Sequence, residues 1–406
     1  MRNIKILIIT SEYPNPNSSF DTPVVHYYAK EWQELGHELR VIHFRSVFPS
    51  FFYFFSKIFK TFLKKIFKTD FVPVNRLNKR IEFVHEGVNI ISQPIFKIFP
   101  HFKFLKKTIR YHAKIIHSDN LNKNYKPDII ISHFFNPQLP LITELKKYYP
   151  NVTTSLVLHE NPKVILKLFG SHSYKLLNNL DYLGFRFDEM RNIFFNLFGK
   201  EYSTFICPSG IPENYILSKT PKTKFSSEKI SICFVGMLIP LKNIDILLEA
   251  VNLAFPERNF TLEIIGDGML KEKISKKIIE LKLEECVSML GKLSRDDVQA
   301  KMVATDVFIM VSKPEAFGLV YVEAMSKGCI TIGTIGQGID GVIQHGNNGF
   351  LCEARNIEAL KDILIGINQM SYDDKINLAS KAIKTASLLT DRKVASDYLN
   401  KITNNN

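Results

Sequence analysis

The sequence lacks the cysteine spacings of disulfide-rich and zinc-binding proteins. Its five cysteines lie far apart along the chain and include no Cys-x-x-Cys pair: Cys207, Cys233, Cys286, Cys329 and Cys352. Neither a disulfide framework nor a zinc site follows from such spacing. We expect the five thiols to be small buried apolar groups in a reducing compartment.

Long apolar runs are missing as well. Uncharged stretches such as 47–56 fall short of the roughly 18–20 residues that a spanning helix needs. The first apolar run, 4–9, is interrupted by Lys5 and leads into Ser11 and Glu12, which predicts a buried strand and not a signal peptide. Together with the cysteines, this pattern predicts a cytoplasmic protein.

Acidic residues are scarce in the first half of the chain. Residues 1–200 hold 29 Lys and Arg against 15 Asp and Glu, whereas residues 201–406 hold 24 against 25. The net charge of +13 therefore comes from the first half, and residues 45–114 carry 15 basic and only 3 acidic side chains. Such a field attracts acidic lipid, phosphate or nucleic acid.

Strand and helix signals alternate along both halves of the 406-residue chain. Strands are predicted at 4–9, 38–43, 128–132, 153–158, 230–235, 260–265, 286–290, 307–311 and 329–332. Helices are predicted at 23–35, 138–148, 243–254, 269–282, 294–304 and 318–327. The alternation predicts α/β architecture with parallel sheets. The length predicts two such domains around a cleft, joined by a polar linker at 218–228.

Residues 48–110 interrupt the alternation with an amphipathic basic segment. Apolar residues recur at helical spacing: Phe54, Phe55, Ile58, Phe59, Phe62, Leu63, Ile66 and Phe67. Lysines fall between them: Lys57, Lys60, Lys64, Lys65 and Lys68. The aromatic face either packs on its own domain or rests on an anionic membrane, to which 51–68 and 97–114 are the expected contact regions. Nucleic acid is disfavoured because the phenylalanines form a helical stripe and no nucleic-acid motif is present.

Several predicted strands of the second half end in glycine turns. Gly236 precedes Lys242, Gly266-Asp267-Gly268 ends the next strand, and Gly291 the third. Glycine lets a ligand approach the backbone, and a lysine neutralises phosphate charge. Each turn alone is weak evidence for a ligand site, but several glycine turns at successive strand ends indicate one.

The most informative segment follows the strand at 307–311. Glu315 precedes a predicted helix, Gly318 stands at its start, and Glu323 lies inside it. Free amides at a helix N-terminus bind phosphate. The two glutamates are thus positioned to contact different parts of one elongated ligand.

These motifs make the second half resemble the donor-binding domain of family 4 glycosyltransferases of the GT-B fold. The matching segments are FVGMLIPLKN at 234–243, GDG at 266–268, LGKL at 290–293, SKPEAFGLVYVEAMSKG at 312–328 and NNGFL at 347–351. The resemblance is strong over 230–370. In the first half it is limited to 11–14, the following helix and 36–37. It implies two Rossmann-like doubly wound domains facing a central cleft.

The resemblance also implies site residues. Glu323 would bind the ribose hydroxyls, Glu315 the transferred sugar, and Lys242 the diphosphate. His159, at a strand end of the first half, would face the donor sugar, and catalysis would rest on His159, Glu315 and Lys242. The remaining donor contacts would be diphosphate-binding amides near Gly318, Leu319 and Val320, the base contact at Leu293, and Gly236, Gly266 and Phe317.

Met237 departs from the family pattern, because an arginine usually stands there to share the diphosphate charge. Lys313 and Arg186 are candidates to replace it. His133, which also ends a strand, is expected to support or pack rather than to act directly.

The family resemblance implies a hexosyltransferase that retains the anomeric configuration through an oxocarbenium-like transition state. No metal ligands or cofactor are expected beyond the nucleotide-sugar substrate, because helix amides and Lys242 supply positive charge. We expect front-face attack by the acceptor, since no enzymatic nucleophile stands out. The predicted domains are 1–210 for the acceptor and 211–385 for the donor, with a helix near 386–406 packed back on the first.

The expected substrates are a UDP-sugar and a glycan or lipid-linked glycan, in capsule, O-antigen or other surface polysaccharide biosynthesis. The enzyme would then be peripheral on the inner face of the cell membrane. Two alternatives stay open: a sugar-nucleotide epimerase of the same fold, and a non-enzymatic basic membrane-binding module.

Overall fold

The computed structural model describes residues 3–14, 23–58, 78–216, 225–226 and 228–403. The chain divides into two compact units. The first contains Met1–Arg186, Met190–Cys207 and Ala395–Asn406, and the second contains Phe187–Glu189 and Pro208–Val394. The domain limits given above stay a prediction.

An eight-stranded sheet forms the centre of the first unit, in the order β3-β4-β2-β1-β5-β6-β7-β8. Its strands are β1 (Lys5–Thr10), β2 (Glu38–Val47), β3 (Ile81–His85), β4 (Val88–Phe96), β5 (Ile129–His133), β6 (Thr153–Leu158), β7 (Tyr182–Phe185) and β8 (Thr204–Ile206). Neighbouring strands are parallel except for the antiparallel pair β3 and β4. The sheet therefore has the parallel core that the sequence alternation predicts.

The described helices of this unit pack around that sheet. They are α1 (Val24–Glu34), α2 (Ser50–Ile58), α3 (Lys106–Asn122), α4 (Gln138–Leu145), α5 (Lys163–Phe169), α6 (His172–Leu177) and α7 (Asp188–Phe198), of which the last begins in the second unit. The C-terminal helix α14 (Asp391–Thr403) joins them. Within the first unit, Trp32 Nε1 donates to Ala395 O at 2.8 Å, and the hydroxyls of Ser155 and Tyr398 are 3.0 Å apart.

The second unit is built on a six-stranded parallel sheet in the order β11-β10-β9-β12-β13-β14. Its strands are β9 (Ile230–Val235), β10 (Phe260–Ile265), β11 (Val287–Gly291), β12 (Val307–Ile309), β13 (Ile330–Thr334) and β14 (Phe350–Cys352). Its helices are α8 (Ile244–Ala254), α9 (Lys271–Glu280), α10 (Arg295–Ala304), α11 (Leu319–Ser326), α12 (Ile357–Gln369) and α13 (Tyr372–Ser387). Its β9 and β12 strands are near-continuous apolar runs because parallel strands are buried on both faces.

The strands predicted at 153–158, 230–235 and 260–265 are confirmed to the residue. The helix predicted from 318 begins at Leu319, because Gly318 has a φ of 74° and is not helical. The β3–β4 hairpin was not predicted. Neither were the short strands β7 and β8, which contain four and three residues.

Two sequence predictions fall largely outside the described residues. The basic helix predicted at 54–68 is described only as far as Ile58, within α2. The linker at 218–228 is described only at 225, 226 and 228. All five cysteines are buried and free, as expected. Among the described helices, none combines the length and apolar character needed to cross a membrane.

Candidate active site

The carboxyl ends of the second unit's parallel strands bring its glycine turns together. The loop after β9 and the loop after β10 run in direct contact, with Gly236 N–H donating to Ile265 O and Leu238 N–H to Asp267 O, both at 3.0 Å. A Cβ on Gly266 would lie 1.9 Å from Gly236 O, and one on Gly268 would lie 2.6 Å from Leu238 O. These glycines are therefore required by the close approach of two backbones.

An ion pair joins two of these loops. Lys242 Nζ lies 2.6 Å from Glu315 Oε2, and both side chains are mostly buried, with exposed fractions of 16% and 14%. The ammonium also lies 3.5 Å from the thioether sulfur of Met310. The structure thus places together the two residues that the family resemblance assigns to diphosphate and sugar.

Three further groups hold the segment that carries Glu315. Ser312 Oγ donates to Glu315 Oε2 at 3.1 Å, and the backbone N–H of Glu315 donates to Gln337 Oε1 at 2.9 Å. Gly338 N–H donates to Glu315 O at 3.0 Å. Side chain and backbone of Glu315 are both fixed, so its carboxylate has a defined position.

Gly318 shapes the start of α11. Its φ of 74° is in the left-handed region, and a Cβ there would lie 2.5 Å from Cε2 of the Tyr321 ring. That ring is fully buried, and its hydroxyl donates to Met310 O. Tyr321 N–H donates back to Gly318 O at 3.0 Å. The N–H groups that come before Tyr321 have no carbonyl acceptor one turn earlier in the helix. Such groups are suited to bind an anion.

Glu323 lies in α11 among polar side chains of the same unit. Gln299 Nε2 donates to its Oε2 at 3.3 Å. Burial raises the pKa of the Glu323 carboxyl above its ordinary value, while the positive charges of Arg295 and Lys327 oppose that rise. A half-buried carboxylate between such partners is suited to accept hydrogen bonds from neutral hydroxyls.

The other predicted donor contacts differ in exposure. Phe317 is 4% exposed and belongs to the apolar core, so its side chain supports the loop. Leu293, Leu319 and Val320 are partly exposed. Met237 is 57% exposed, and Lys313 is also exposed.

The histidine predicted to be catalytic lies in the first unit, just after β6. His159 Nε2 is 2.9 Å from Nδ1 of His133, and Phe134 stacks on the His159 ring with centroids 4.3 Å apart. Desolvation, followed by the charge of Arg186 and by His133, holds the pKa of His159 well below its ordinary value. Its imidazole is therefore neutral at neutral pH.

Arg186 is buried with this histidine pair in the first unit, at 2% exposure. Its positive charge lowers the pKa values of His133 and His159, and it hydrogen-bonds Tyr28 and Cys207. Arg186 therefore has structural partners of its own within the first unit.

Lys97 and Glu160 form a second charged group in the first unit. Burial lowers the pKa of Lys97 to about 8, opposed by the carboxylate of Glu160. Burial also raises the pKa of Glu160, opposed by Lys97. The Lys97 ammonium lies 4.9 Å from the centre of the Phe104 ring. No local sequence pattern indicates this pair, because the two residues are 63 positions apart.

The comparisons with known proteins agree with this geometry. The family described as "Glycosyl transferases group 1" matches residues 218–386, which include every donor loop above. Residues 218–386 therefore belong to the group 1 glycosyl transferases, and the chain is a glycosyltransferase. An uncharacterized glycosyltransferase of Methanocaldococcus jannaschii is 27% identical over 295 residues, covering 69% of this glycosyltransferase and 75% of that protein.

Two further proteins show the range of the similarity. The N-acetyl-alpha-D-glucosaminyl L-malate synthase of Bacillus anthracis is 31% identical over 175 residues, so the glycosyltransferase matches under half (44%) of that relative. The crystal structure of HepE of Anabaena, in complex with UDP and glucose, superposes with a TM-score of 0.65 at 18% identity. It covers 99% of this chain and 100% of that one. The fold is GT-B, with two Rossmann-like domains, as predicted.

The comparisons name no site residues, so the individual roles stay predictions. Sequence reasoning found the charged pair and the glycines because they lie in recognisable motifs. It missed Ser312, Gln337 and Gln299, which support the two glutamates. For Gln337 and Gln299 no local pattern exists, since their partners lie 22 and 24 residues away.

Proposed function

We propose that the glycosyltransferase moves a hexose from a UDP-sugar, with retention of configuration, to a glycan or lipid-linked glycan acceptor in surface polysaccharide biosynthesis. The observation that carries the proposal is the ion pair of Lys242 and Glu315 beside the N-terminus of α11. It combines a cation for a diphosphate with an acceptor for sugar hydroxyls.

The donor assignment follows from charge. As the glycosidic bond breaks, negative charge develops on the leaving diphosphate, and fixed positive groups stabilise it most at that moment. Lys242 and the amides of Gly318, Leu319 and Val320 supply such groups, and Glu323 is proposed to bind the ribose. UDP is preferred because the HepE structure of the same fold holds UDP and glucose.

Retention by front-face attack is consistent with the engagement of Glu315. Its Oε2 already contacts Lys242 and Ser312, which lowers its nucleophilicity. A hydrogen-bonding role toward the sugar therefore suits Glu315 better than covalent attack. In this proposal the leaving phosphate takes the proton of the acceptor hydroxyl.

The acceptor assignment rests on the surface around α3. Large apolar side chains are exposed there: Phe96, Ile98, Phe99, Phe102, Leu105 and Tyr111. Exposed basic side chains lie among them: Lys103, Lys106, Lys107, Arg110 and Lys114. Apolar groups that insert and cations that attract are the features of a surface for anionic membrane. A lipid-linked acceptor at the inner face of the membrane fits such a surface.

Two other activities are distinguished from the proposed one by the transfer assay described below. An epimerase would convert one sugar nucleotide to another without an acceptor. A small carboxylic acid as acceptor is the second, since the relative from Bacillus anthracis is named an L-malate synthase. The family match over residues 218–386 favours an enzyme over the non-enzymatic membrane module.

The test is a transfer assay with a panel of labelled sugar nucleotides, each supplied with lipid-linked glycan, with L-malate or with no acceptor. Lys242→Ala and Glu315→Ala are each expected to lower kcat/KM by about 10²–10³-fold, the effect of removing one charge-stabilising group. Each variant is also expected to lose thermal stability, because removing one partner of a mostly buried ion pair leaves the other charge uncompensated. Transfer is therefore measured at a temperature at which thermal unfolding shows both variants to be folded.

Lys301→Ala is the matched control. It breaks another Lys–Glu pair of the second unit, with Lys301 Nζ 2.5 Å from Glu263 Oε1, and transfer should stay within about twofold of wild type. Full turnover in Lys242→Ala or Glu315→Ala would disprove the donor site. Transfer to malate alone would disprove the glycan acceptor.

A further inference from the structure

Three metal-ligating side chains of the first unit converge where the β3–β4 hairpin meets α1. His26 lies in α1, and His85 and Glu86 lie at the hairpin turn. The three ligand atoms, two imidazole nitrogens and one carboxylate oxygen, lie within 4.8 Å of one another. Glycosyl transfer as proposed above makes no use of them.

The hairpin turn is fixed against the helix. Glu86 and Gly87 have φ values of 44° and 85°, and two positive values are what a two-residue type I′ turn requires. Gln33 Nε2, from α1, donates to Gly87 O at 3.0 Å. The turn is therefore anchored beside the helix, and His85 and Glu86 project from a defined position.

His26 is the buried member of the cluster. Its side chain is 1% exposed, and Nε2 has no hydrogen-bond partner among the described residues. Glu86 Oε2 lies 3.6 Å from that nitrogen, which is beyond a normal hydrogen bond. A buried nitrogen without a partner calls for an explanation, and a metal ion between Nε2 and the carboxylate supplies one.

The other ring nitrogen has the partner that a ligating histidine needs. His26 Nδ1 is 2.9 Å from the hydroxyl of Tyr13, which is fully buried. In the tautomer that carries its proton on Nδ1, His26 donates to Tyr13 and directs the Nε2 lone pair toward His85 and Glu86. Metal-bound histidines usually make such a second hydrogen bond.

We propose that His26, His85 and Glu86 bind a divalent transition-metal ion, Zn²⁺ by preference, with a water molecule in the fourth position. Ligand atoms about 2.0–2.2 Å from a tetrahedral Zn²⁺ lie roughly 3.3 Å apart. The distance of 3.6 Å between His26 and Glu86 is already close to that value. His85 is partly exposed and the Glu86 side chain is 51% exposed, so small rotations of these two side chains complete the site.

Lys30 competes with the metal for the carboxylate. Its Nζ lies 2.8 Å from Glu86 Oε2, and it stands one helical turn after His26. An ammonium and a metal ion at the same oxygen repel each other. Removal of the Lys30 charge is therefore expected to tighten metal binding. A chance cluster of surface groups that binds no metal would show no such effect.

Bound Zn²⁺ would cross-link α1 to the β3–β4 hairpin, elements that are about 50 residues apart in sequence. Because a metal that binds only the folded state stabilises it, the site has a structural consequence independent of sugar transfer. The metal site is also connected to Tyr13, which follows β1, because His26 hydrogen-bonds the Tyr13 hydroxyl.

The experiment uses the full-length chain without a histidine tag, titrated with ZnCl₂ against a chromogenic chelator and followed by thermal unfolding. One equivalent of Zn²⁺ should bind and raise the Tm, and Co²⁺ in its place should give a tetrahedral d–d spectrum. His85→Ala and Glu86→Gln should lose both the binding and the Tm shift. Tyr13→Phe should raise the Kd about tenfold or more, the effect of losing the outer partner of a ligand.

His172→Ala is the matched control, since it removes an exposed histidine of the first unit that lies outside the cluster, and it should bind Zn²⁺ like wild type. Lys30→Gln should lower the Kd. Absence of Zn²⁺ binding to the wild type, or equal binding by His85→Ala, would overturn the proposal. Weaker binding by Lys30→Gln would overturn the assignment of Glu86 as a ligand.

Discussion

Gly318 shows how a single residue determines the geometry of the donor site. It separates Glu315 from α11, its backbone is left-handed, and the Tyr321 ring occupies the space where a side chain would be. Any larger residue must either shift that ring or change the backbone at the helix start. Both changes move the amides that we propose to bind the diphosphate.

Gly318→Ala is therefore expected to weaken UDP binding by at least about tenfold and to destabilise the fold by roughly 1–3 kcal/mol, from backbone strain and the ring contact. UDP titration and chemical unfolding measure the two effects. Gly346→Ala is the matched control, because Gly346 has a φ of 75° but no atom within 4 Å of a Cβ. It should show the strain alone and leave UDP binding intact; equal loss in both variants would contradict the role of the Tyr321 contact.

At this scale the sequence revealed Glu315, Gly318, Glu323 and Lys242 because each stands in a local motif. It did not reveal their supports. Gln337 reaches Glu315 only because β13 lies next to β12 in the sheet, and such a neighbour is a property of the fold. The metal cluster was missed for the same reason, since His26 and His85 are 59 residues apart.

At the scale of elements, the surface around α3 and the described part of α2 both carry exposed aromatic side chains. Phe48, Phe52 and Tyr53 form a buried aromatic cluster, whereas Phe51 and Phe54 are 53% and 63% exposed. Of the two interpretations of the basic aromatic segment, packing thus accounts for one face of α2. The membrane interpretation stays a prediction for the exposed face.

Charge reversal tests this surface. Lys106→Glu, Lys107→Glu and Arg110→Glu together are expected to reduce binding to anionic liposomes by more than about 100-fold, because each basic residue near such a surface contributes about 1 kcal/mol. Sedimentation with anionic and neutral vesicles measures the effect.

The same number of reversals at Lys271, Lys273 and Lys276, which are exposed on α9 of the second unit, provides the control. That variant should bind vesicles like wild type. If both triple variants lose binding equally, net charge and not this surface is responsible.

Strand and helix prediction succeeded where elements were long and apolar, as in β9 and β10. It failed in the region 81–96, where polar residues interrupt β3 and β4 without a regular period and the basic segment before them obscured the pattern. An edge hairpin with one exposed face gives a weaker signal than a buried parallel strand.

At the scale of the whole molecule, titratable histidines are distributed unequally. Ten of the eleven histidines precede residue 200. Burial lowers the pKa of His43 and of His112 to about 4. Burial and the charge of Arg186 lower the pKa of His133 to about 3. The second unit contains only His345.

These shifts predict that acid destabilises the first unit before the second. Above an unfolded-state pKa near 6.5, folded and unfolded chains both hold these rings neutral. As pH falls from 6.5 toward 4, the unfolded chain binds protons that the folded chain does not, so stability decreases, by up to about 3 kcal/mol for a ring whose pKa is lowered to 4.

Hydrogen exchange at pH 7.5 and pH 5.0 measures this difference peptide by peptide. Protection should fall in β1, β2 and α3 and persist in β9 and β10. His112→Phe should reduce the pH dependence, since a phenyl ring suits the edge contact with Phe44. A uniform loss of protection across both units would refute the prediction.

The docking of α14 has a consequence for biosynthesis. The 187 residues of Pro208–Val394 are inserted between Cys207 and Ala395 of the first unit. On the ribosome, at about 5–20 residues per second, roughly 20–70 s pass between the synthesis of Tyr28 and Trp32 and that of their partner Tyr398. Until then the aromatic surfaces of Trp32 and Tyr28 lack the cover that α14 provides, whereas the described helices and strands of the inserted unit have all been synthesised once Ser387 is made. The part of the chain that is translated first is thus completed last.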